Sequence, residues 1–209
     1  MKHIIDAFDN RPLVQVKDRK YMITPLTDHH PTTPFELLDD TVKELSKLTD
    51  FSKATKILGE EERGGFIAAL LAYANKKPFG MVKWNPNGLG GQLAVDFRMS
   101  YAEGKLYLNG IEPGDKVIIV EDMIDSGGTM VAMIELLKKA NIELLDIVVV
   151  SEKEEFHGIE RIKQETGVQV KHLLTFNTVG ERSKVTWIRP QKLDKRPPRP
   201  AADPAIVHA

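Results

Sequence analysis

The sequence of 209 residues contains no cysteine, which excludes disulfide bonds and thiolate metal sites and fits an intracellular chain. It also lacks any apolar run approaching the ~18 residues that a membrane-spanning helix needs. Neither sign of charge dominates, because 29 Lys and Arg residues face 30 Asp and Glu residues, so no basic surface for nucleic acid is indicated. We therefore expect a cytoplasmic protein that binds neither nucleic acid nor a membrane.

The composition that remains is typical of a folded domain. Hydrophobic residues make up 42% and charged residues 28% of the chain, and its length is enough for one domain with a sizeable core. Residues 1–188 are predicted to form this domain. Residues 189–209 hold five prolines among several basic residues, which predicts a tail without a core of its own. Such a tail is either a flexible terminus or lies against the domain or a neighbouring subunit.

Apolar patterning predicts an alternation of helices and strands. Helices are predicted over residues 35–48, 66–74, 130–140 and 155–166. Strands are predicted over residues 21–23, 56–59, 78–82, 117–120, 145–150 and 168–176. A hairpin of strands 93–99 and 105–108 is predicted to turn at residues 102–104. Strands that alternate with helices favour an α/β fold with a parallel sheet.

Residues 117–129 give the strongest local signal. Residues 117–120 are β-branched and apolar without alternation, which predicts a strand buried on both faces of a parallel sheet. Ligands of open α/β sheets bind beyond the carboxyl ends of such strands. Residues 126–129 follow with two hydroxyl groups and two glycines that can form an anion-holding nest, and the next helix adds its free N–H groups. The stretch therefore predicts a phosphate site.

Glu121 and Asp122 distinguish this loop from other phosphate loops. The spacing G-x-x-x-x-G-K-[ST] is absent and the loop has no lysine, which argues against a nucleoside triphosphate site. Two acids beside a phosphate nest suit a ligand with hydroxyl groups and a divalent cation. The alternative is an ordinary strand, turn and helix with a chance acidic pair. Adjacent side chains of a strand point to opposite faces, so both acids can contribute only if the strand ends between them.

The stretch resembles the phosphoribosyl pyrophosphate (PRPP) motif of type I phosphoribosyltransferases, and the resemblance covers about residues 20–176. It implies a parallel-sheet α/β fold with an N-terminal hood (about residues 1–34), a flexible loop (84–92) and a hairpin. It implies transfer of ribose 5-phosphate from PRPP to a purine with release of pyrophosphate, Mg²⁺ as cofactor and a homodimer. In the family the acids lie by the ribose hydroxyls, so Glu121 and Asp122 are expected to be catalytic and to hold Mg²⁺, directly or through water. The 5′-phosphate is expected at Asp125, Ser126, Gly127, Gly128 and Thr129.

A second anion site is expected where the chain resembles the pyrophosphate loop of the family, at residues 61–64. The resemblance assigns pyrophosphate binding to Glu62, Arg63 and Gly64, and to Lys83 before the flexible loop. From the residues themselves, a turn before a helix can hold an anion through backbone N–H groups and the guanidinium fork of Arg63. A charged surface loop is the alternative.

Asp125 and Lys153 indicate the kind of base. Residues 120–127 resemble the 6-oxopurine enzymes, in which the matching aspartate faces N7 of the base and can accept or donate a proton, so Asp125 is expected to be catalytic. Lys153 stands near the position of a lysine that contacts the exocyclic oxygen in those enzymes. Residues 21–26 resemble the hood segment over the base, which places Met22 at the base. The alternatives are a helix cap or turn former for Asp125 and a solvated lysine for Lys153.

Several departures from the family pattern leave the base open. Trp84 and Asn85 replace basic residues of the loop, Gly90 replaces a proline, and Ser100 stands where adenine enzymes often have a glutamate. Tyr101 and residues 104–107 resemble the hairpin of adenine and archaeal hypoxanthine enzymes. Hypoxanthine or guanine is favoured, and adenine or a modified purine such as a deazapurine is the alternative. A PRPP-sensing regulator is the non-enzymatic alternative, although no helix-turn-helix spacing precedes the first predicted helix.

Overall fold

The computed structural model describes residues 1–16, 19–61, 63–88, 90, 92–98 and 103–190. In chain order its elements are α1 (Lys2–Phe8), β1 (Leu13–Val16), β2 (Arg19–Met22), α2 (Phe35–Ser46), β3 (Lys56–Glu60), α3 (Arg63–Ala74), β4 (Phe79–Lys83), β5 (Ala94–Arg98), β6 (Glu103–Asn109), β7 (Lys116–Ile124), α4 (Gly128–Lys139), β8 (Glu143–Lys153), α5 (Gly158–Thr166), β9 (Val170–Val179) and β10 (Arg182–Ile188). Short 3₁₀ turns occupy Phe51–Lys53 and Glu154–Phe156.

Eight strands form one mixed sheet in the order β10-β9-β8-β7-β3-β4-β6-β5. The five strands β9, β8, β7, β3 and β4 pair in parallel, whereas β10, β6 and β5 pair antiparallel at the two edges. Strands β1 and β2 form a separate antiparallel hairpin. The predicted α/β fold with a parallel sheet is therefore confirmed.

Helices cover the sheet on both faces, which explains the unbroken apolar run of β7. Val117 and Ile119 pack into the cluster that contains α4, while Ile118 and Val120 pack into the cluster that contains α2 and α3. All four side chains are fully buried, and each contributes about 1.5–3 kcal/mol of burial free energy. This central strand therefore holds the phosphate loop (125–129) that follows it on a rigid base.

Several predicted boundaries differ from the structure, and four of the differences concern the site or its supports. Helix α3 begins at Arg63 rather than residue 66, so the predicted pyrophosphate loop leads directly into its first turn. The predicted turn at 102–104 is wrong, because Gly104 and Glu103 already pair with β5, and the connection falls at residues 99–102, outside the described part. The predicted helix 155–166 is divided at His157, whose left-handed φ of 51° separates a 3₁₀ turn from α5. Strand β7 continues through Glu121 and Asp122 to Ile124 instead of ending between them.

Three elements were not predicted, namely α1, β1 and the edge strand β10. Hydrogen bonds join the segment 10–13, which leads from α1 into β1, to the segment 181–183 at the start of β10. The N–H of Asn10 donates to the carbonyl of Ser183 at 2.9 Å, the N–H of Arg11 donates to the Ser183 hydroxyl at 2.9 Å, and the N–H of Leu13 donates to the carbonyl of Glu181 at 3.1 Å. The β1–β2 hairpin is thereby fixed beside the hairpin of β9 and β10.

Several expectations concern residues outside the described part, among them Glu62, Ser100, Tyr101 and the tail from residue 191. The loop 84–92 is described except for residues 89 and 91, and its flexibility stays a prediction. The N–H of Arg189 still donates to the carbonyl of Leu173 at 2.8 Å, so regular pairing extends to the predicted start of the tail. Among the described residues, no helix has the length and apolar character that crossing a membrane requires.

Candidate active site

A cavity of about 860 Å³ opens at the carboxyl ends of β3, β7 and β8, where ligands of open α/β sheets bind. Its walls come from the β1–β2 hairpin, the end of β7, the phosphate loop, the first turn of α4 and the end of β8. Ten residues predicted for the site line it: Met22, Arg63, Glu121, Asp122, Asp125, Ser126, Gly127, Gly128, Thr129 and Lys153. Residues distant in sequence are thus brought together at one place.

The phosphate loop (125–129) has the backbone of an anion site. Gly127 adopts a left-handed φ of 77° at the N-cap of α4, and a Cβ there would lie 2.7 Å from the carbonyl oxygen of Gly158, so only glycine fits. A guanidinium N–H of Arg161 donates to the carbonyl of Ser126 at 3.2 Å and holds the loop from behind. Gly128 and Thr129, in the first turn of α4, line the cavity, and the N-terminus of a helix favours a bound anion.

Glu121 and Asp122 reach the same cavity although β7 does not end between them. The ladder between β3 and β7 stops at the pair Leu58–Ile119, so β3 no longer covers β7 at Glu121. The Glu121 carboxyl group extends across this gap to the first turn of α3. There it occupies the space of a side chain at Gly64, since a Cβ on Gly64 would lie 2.0 Å from Oε1 of Glu121. Because Gly64 has no side chain, the Glu121 carboxyl group can lie at the first turn of α3 and line the same cavity as Asp122.

The acidic pair is buried, with 7% of Glu121 and 4% of Asp122 exposed. The backbone N–H of Asp122 donates to Oε1 of Glu121 at 3.0 Å. Burial raises the pKa of Glu121 well above its ordinary value, and the neighbouring charges of Asp122 and Glu60 raise it further. Burial also raises the pKa of Asp122, against the lowering effects of a hydrogen bond with Glu121 and the charge of Arg63. The pair therefore holds a proton more readily than separate exposed carboxyl groups would.

One oxygen of this pair fits a cation or a sugar hydroxyl. Oδ2 of Asp122 is buried and has no hydrogen-bond partner among the described residues, an arrangement that is costly without a ligand. The described residues contain no group of three or more His, Cys, Asp or Glu side chains placed to hold a metal ion. Mg²⁺ commonly binds through one or two carboxylates with substrate phosphates completing its shell. The donor set of Glu121 and Asp122 fits that mode.

Arg63 is held by a contact that the sequence did not predict. Its Nη2 donates to Oδ1 of Asp28 at 2.8 Å. The other oxygen of Asp28 accepts the N–H of Thr24 at 2.9 Å and the hydroxyl of Thr27 at 2.8 Å. Asp28 thus connects the hood to the start of α3, and it fixes the guanidinium at the cavity wall with N–H groups remaining for an anion.

Gly64 and Lys83 do not line the cavity, unlike Arg63. The ammonium group of Lys83 lies 3.5 Å from Oε1 of Glu61, beside the predicted pyrophosphate loop. The next residue, Trp84, lines the cavity, whereas Lys83 does not. Its indole N–H donates to Glu60 and its backbone N–H donates to Oε2 of Glu61 at 3.0 Å. The replacement of a basic residue by Trp84 therefore places an aromatic wall where the family resemblance predicts positive charge.

Lys153, at the end of β8, and Met22, at the end of β2, line other parts of the cavity wall than Arg63, which begins α3. The Lys153 ammonium, 12% exposed, donates to the carbonyl of Lys20 at 3.3 Å and pairs with Oε1 of Glu155 at 2.9 Å. It also lies 4.8 Å from the centre of the Phe156 ring. Glu155 and Phe156 were missed, although their position directly after Lys153 at a strand end was a usable signal. Phe176 and Thr178, which also line the cavity, carried no such signal, whereas Tyr21 belongs to the predicted hood segment 21–26.

Comparison with known proteins assigns the family. A family model described as the phosphoribosyl transferase domain matches residues 41–168. A hypoxanthine/guanine phosphoribosyltransferase of Methanocaldococcus infernus is 37% identical over 168 residues, which cover 80% of this chain and 91% of that relative. A protein of the same name from Aciduliprofundum boonei is 32% identical over 185 residues, which cover 88% of this chain and 99% of that relative.

Solved structures agree on the fold. An adenine phosphoribosyltransferase from Thermoanaerobacter pseudethanolicus has a TM-score of 0.70 at 22% identity and covers 84% of this chain and 99% of its own. An adenine phosphoribosyltransferase from Giardia lamblia, complexed with 9-deazaadenine, has a TM-score of 0.71 at 22% identity. The predicted fold and enzyme class are confirmed, and the chain belongs to the phosphoribosyltransferase family.

Proposed function

We propose that this enzyme transfers ribose 5-phosphate from PRPP to hypoxanthine or guanine and releases pyrophosphate. The observation that carries the proposal is one cavity that joins the phosphate loop, the buried acidic pair and Lys153. The names of the relatives at 32–37% identity support the 6-oxopurine. The adenine phosphoribosyltransferases among the solved structures share the fold at 22% identity and do not decide the base.

The phosphate loop and the acidic pair would position PRPP. The N–H groups of residues 126–129 and the start of α4 suit the 5′-phosphate. The ribose hydroxyls would then donate to Glu121 and Asp122, which lie near the end of β7 just before the phosphate loop. When bound, Mg²⁺ would neutralise charge on PRPP oxygens, with Glu121 and Asp122 as its protein ligands, directly or through water. A bound cation and the hydroxyl donors would favour the ionised form of Glu121 and Asp122, and this negative charge would stabilise an oxocarbenium-like sugar.

Arg63 would stabilise the leaving pyrophosphate. Negative charge develops on this group as the bond to the sugar breaks, and a preorganised guanidinium stabilises it with little reorganisation. The hydrogen bond to Asp28 supplies that preorganisation. Closure of residues 84–92 would exclude water, which otherwise hydrolyses PRPP.

The base would lie between the hood and the end of β8. Lys153 can donate to the exocyclic oxygen of a 6-oxopurine, Phe156 and Met22 supply apolar contact, and Asp125 can take the proton that the ring loses. General base catalysis of this kind contributes typically 10²–10⁴-fold. The proposal includes a homodimer in the cytoplasm, as the family resemblance implies.

The test is product formation from PRPP and Mg²⁺ with hypoxanthine, guanine, adenine and xanthine. We expect nucleoside monophosphate from hypoxanthine and guanine. Asp122→Asn should lower turnover at least a hundredfold with an unchanged melting curve, because it neutralises the oxygen without a partner. The matched control is Asp96→Asn, which changes an exposed carboxylate on β5 and should leave turnover unchanged. Turnover of adenine alone would contradict the choice of base, and full activity of Asp122→Asn would remove Asp122 from the site.

A further inference from the structure

Lys153 does not act alone at the base end of the cavity, because a carboxylate lies beside it. Oε1 of Glu155 is 2.9 Å from the Lys153 ammonium, and both residues line the cavity. The wall therefore presents a hydrogen-bond donor and an acceptor side by side. A lone lysine would recognise an oxygen, whereas this pair can recognise two adjacent groups of a ligand.

The carboxylate of Glu155 is held in place by Thr178 of β9, which also lines the cavity. The hydroxyl of Thr178 donates to Oε2 at 2.8 Å and lies 3.1 Å from Oε1. A carboxylate offers about four acceptor positions, so these contacts leave capacity for a ligand. Of the three donors of the Lys153 ammonium, the structure assigns two, to Lys20 and Glu155, and the third can serve a ligand oxygen.

A 6-oxopurine has the complementary edge. Its exocyclic oxygen accepts a hydrogen bond and the adjacent ring N1–H donates one, while guanine adds a second donor, its 2-amino group. Building on the proposed function, we propose that Glu155 is a specificity-determining residue, which accepts N1–H and the 2-amino group of guanine while Lys153 donates to the 6-oxygen.

The same contacts discriminate against two other purines. Xanthine carries an oxygen in place of the 2-amino group, so acceptor would face acceptor at Glu155. Adenine carries an amino group at position 6, so donor would face donor at Lys153. A site built around hydrogen-bonding groups rejects ligands that leave those groups unpaired far more strongly than an apolar pocket rejects a change of size. The expected order is guanine, then hypoxanthine, with adenine and xanthine poor.

The test is Glu155→Gln, which keeps the size of the side chain but can turn a donor towards the base. We expect kcat/KM for guanine to fall about tenfold to a hundredfold, through KM of the base, with a smaller loss for hypoxanthine. The xanthine-to-guanine ratio of kcat/KM should rise at least tenfold, because the amide can donate to the 2-oxygen. KM for PRPP should stay within about twofold.

The matched control is Glu154→Gln in the same 3₁₀ turn. The Glu154 carboxylate accepts from Asn177 at 3.1 Å and from the Thr186 hydroxyl at 2.9 Å, outside the cavity, so base preference should not change. A second variant, Thr178→Val, should shift the ratios in the direction of Glu155→Gln by a smaller factor. If the wild type is active with guanine and both Glu155→Gln and Thr178→Val leave the ratios of kcat/KM between bases unchanged, the role of Glu155 is overturned. The proposed function then still stands. A wild type inactive with every 6-oxopurine overturns both.

Discussion

Replacing Gly64 by alanine tests whether the gap at the start of α3 serves the acidic pair. A Cβ at this position would lie 2.0 Å from Oε1 and 2.3 Å from Oε2 of Glu121, and real Cβ contacts essentially never fall below 3.0 Å. Oε1 must therefore move by at least 1.0 Å. That movement breaks its hydrogen bond from the N–H of Asp122, now 3.0 Å long.

The magnitude follows from two opposing effects. A buried N–H that loses its acceptor costs about 1–3 kcal/mol, whereas alanine in place of glycine in a helix gains about 0.5–1 kcal/mol. The free energy of unfolding should fall by the difference, at most about 2.5 kcal/mol, which lowers Tm by at most about 10 °C for a domain of this size. Turnover with PRPP should fall more than tenfold, because the carboxyl group leaves the place where the ribose hydroxyls are expected.

The assay is a double-mutant cycle with Glu121→Asp, measured by thermal unfolding and by kcat/KM for PRPP. The aspartate is one methylene shorter and does not need the space above Gly64. Gly64→Ala should therefore cost much less in the Glu121→Asp background, with a coupling of about 0.5–3 kcal/mol. Additive effects of the two substitutions would refute the argument, as would a Gly64→Ala variant with full activity.

Two further predictions concern the same end of β7. The pKa of Glu121 is raised in the folded protein above its ordinary value of 4.5. Between pH 4.5 and the folded pKa, the folded protein keeps a proton that the unfolded chain has lost. The free energy of unfolding therefore falls as pH rises through this range. Denaturant unfolding of metal-free Glu121→Gln at several pH values should show a shallower fall, and an unchanged slope would contradict the assignment. Asp125→Asn should lower turnover of hypoxanthine and guanine about 10²–10⁴-fold with a nearly unchanged melt. A lower melting temperature of the Asp125 variant with normal turnover would instead identify a structural role in the loop before α4, whose N-cap is Gly127 rather than Asp125.

The sequence predicted the part of the site whose residues follow one another along the chain. Residues 117–129 form strand, loop and helix start in one stretch, so local pattern was enough to place the phosphate loop and the acidic pair. The condition that β7 must end between the acids was wrong, because it considered one strand alone. The gap depends on where the ladder from β3 to β7 stops, and that is a property of two strands.

Contacts between distant segments had no sequence signal. The ion pair of Asp28 with Arg63 joins residues 35 apart, and the local pattern of neither segment indicates that the two are in contact. Helix α1 has seven residues, too few for a periodic pattern to stand out. Strand β10 is an edge strand that begins with three polar residues, of which Ser183 is buried, and it does not resemble the apolar central strands.

The hydrogen bonds between residues 10–13 and 181–183 bear on when the candidate cavity is completed during folding. They join groups about 170 residues apart, and contacts of such separation form only after most of the chain is available. The parallel strands β3, β4, β7 and β8 can pair earlier and carry the phosphate loop with them. The β1–β2 hairpin, although synthesised first, gains its anchor only when β10 arrives. A growing chain thus has the wall formed by the phosphate loop first and the wall formed by the β1–β2 hairpin last, so two segments distant in sequence jointly complete the cavity.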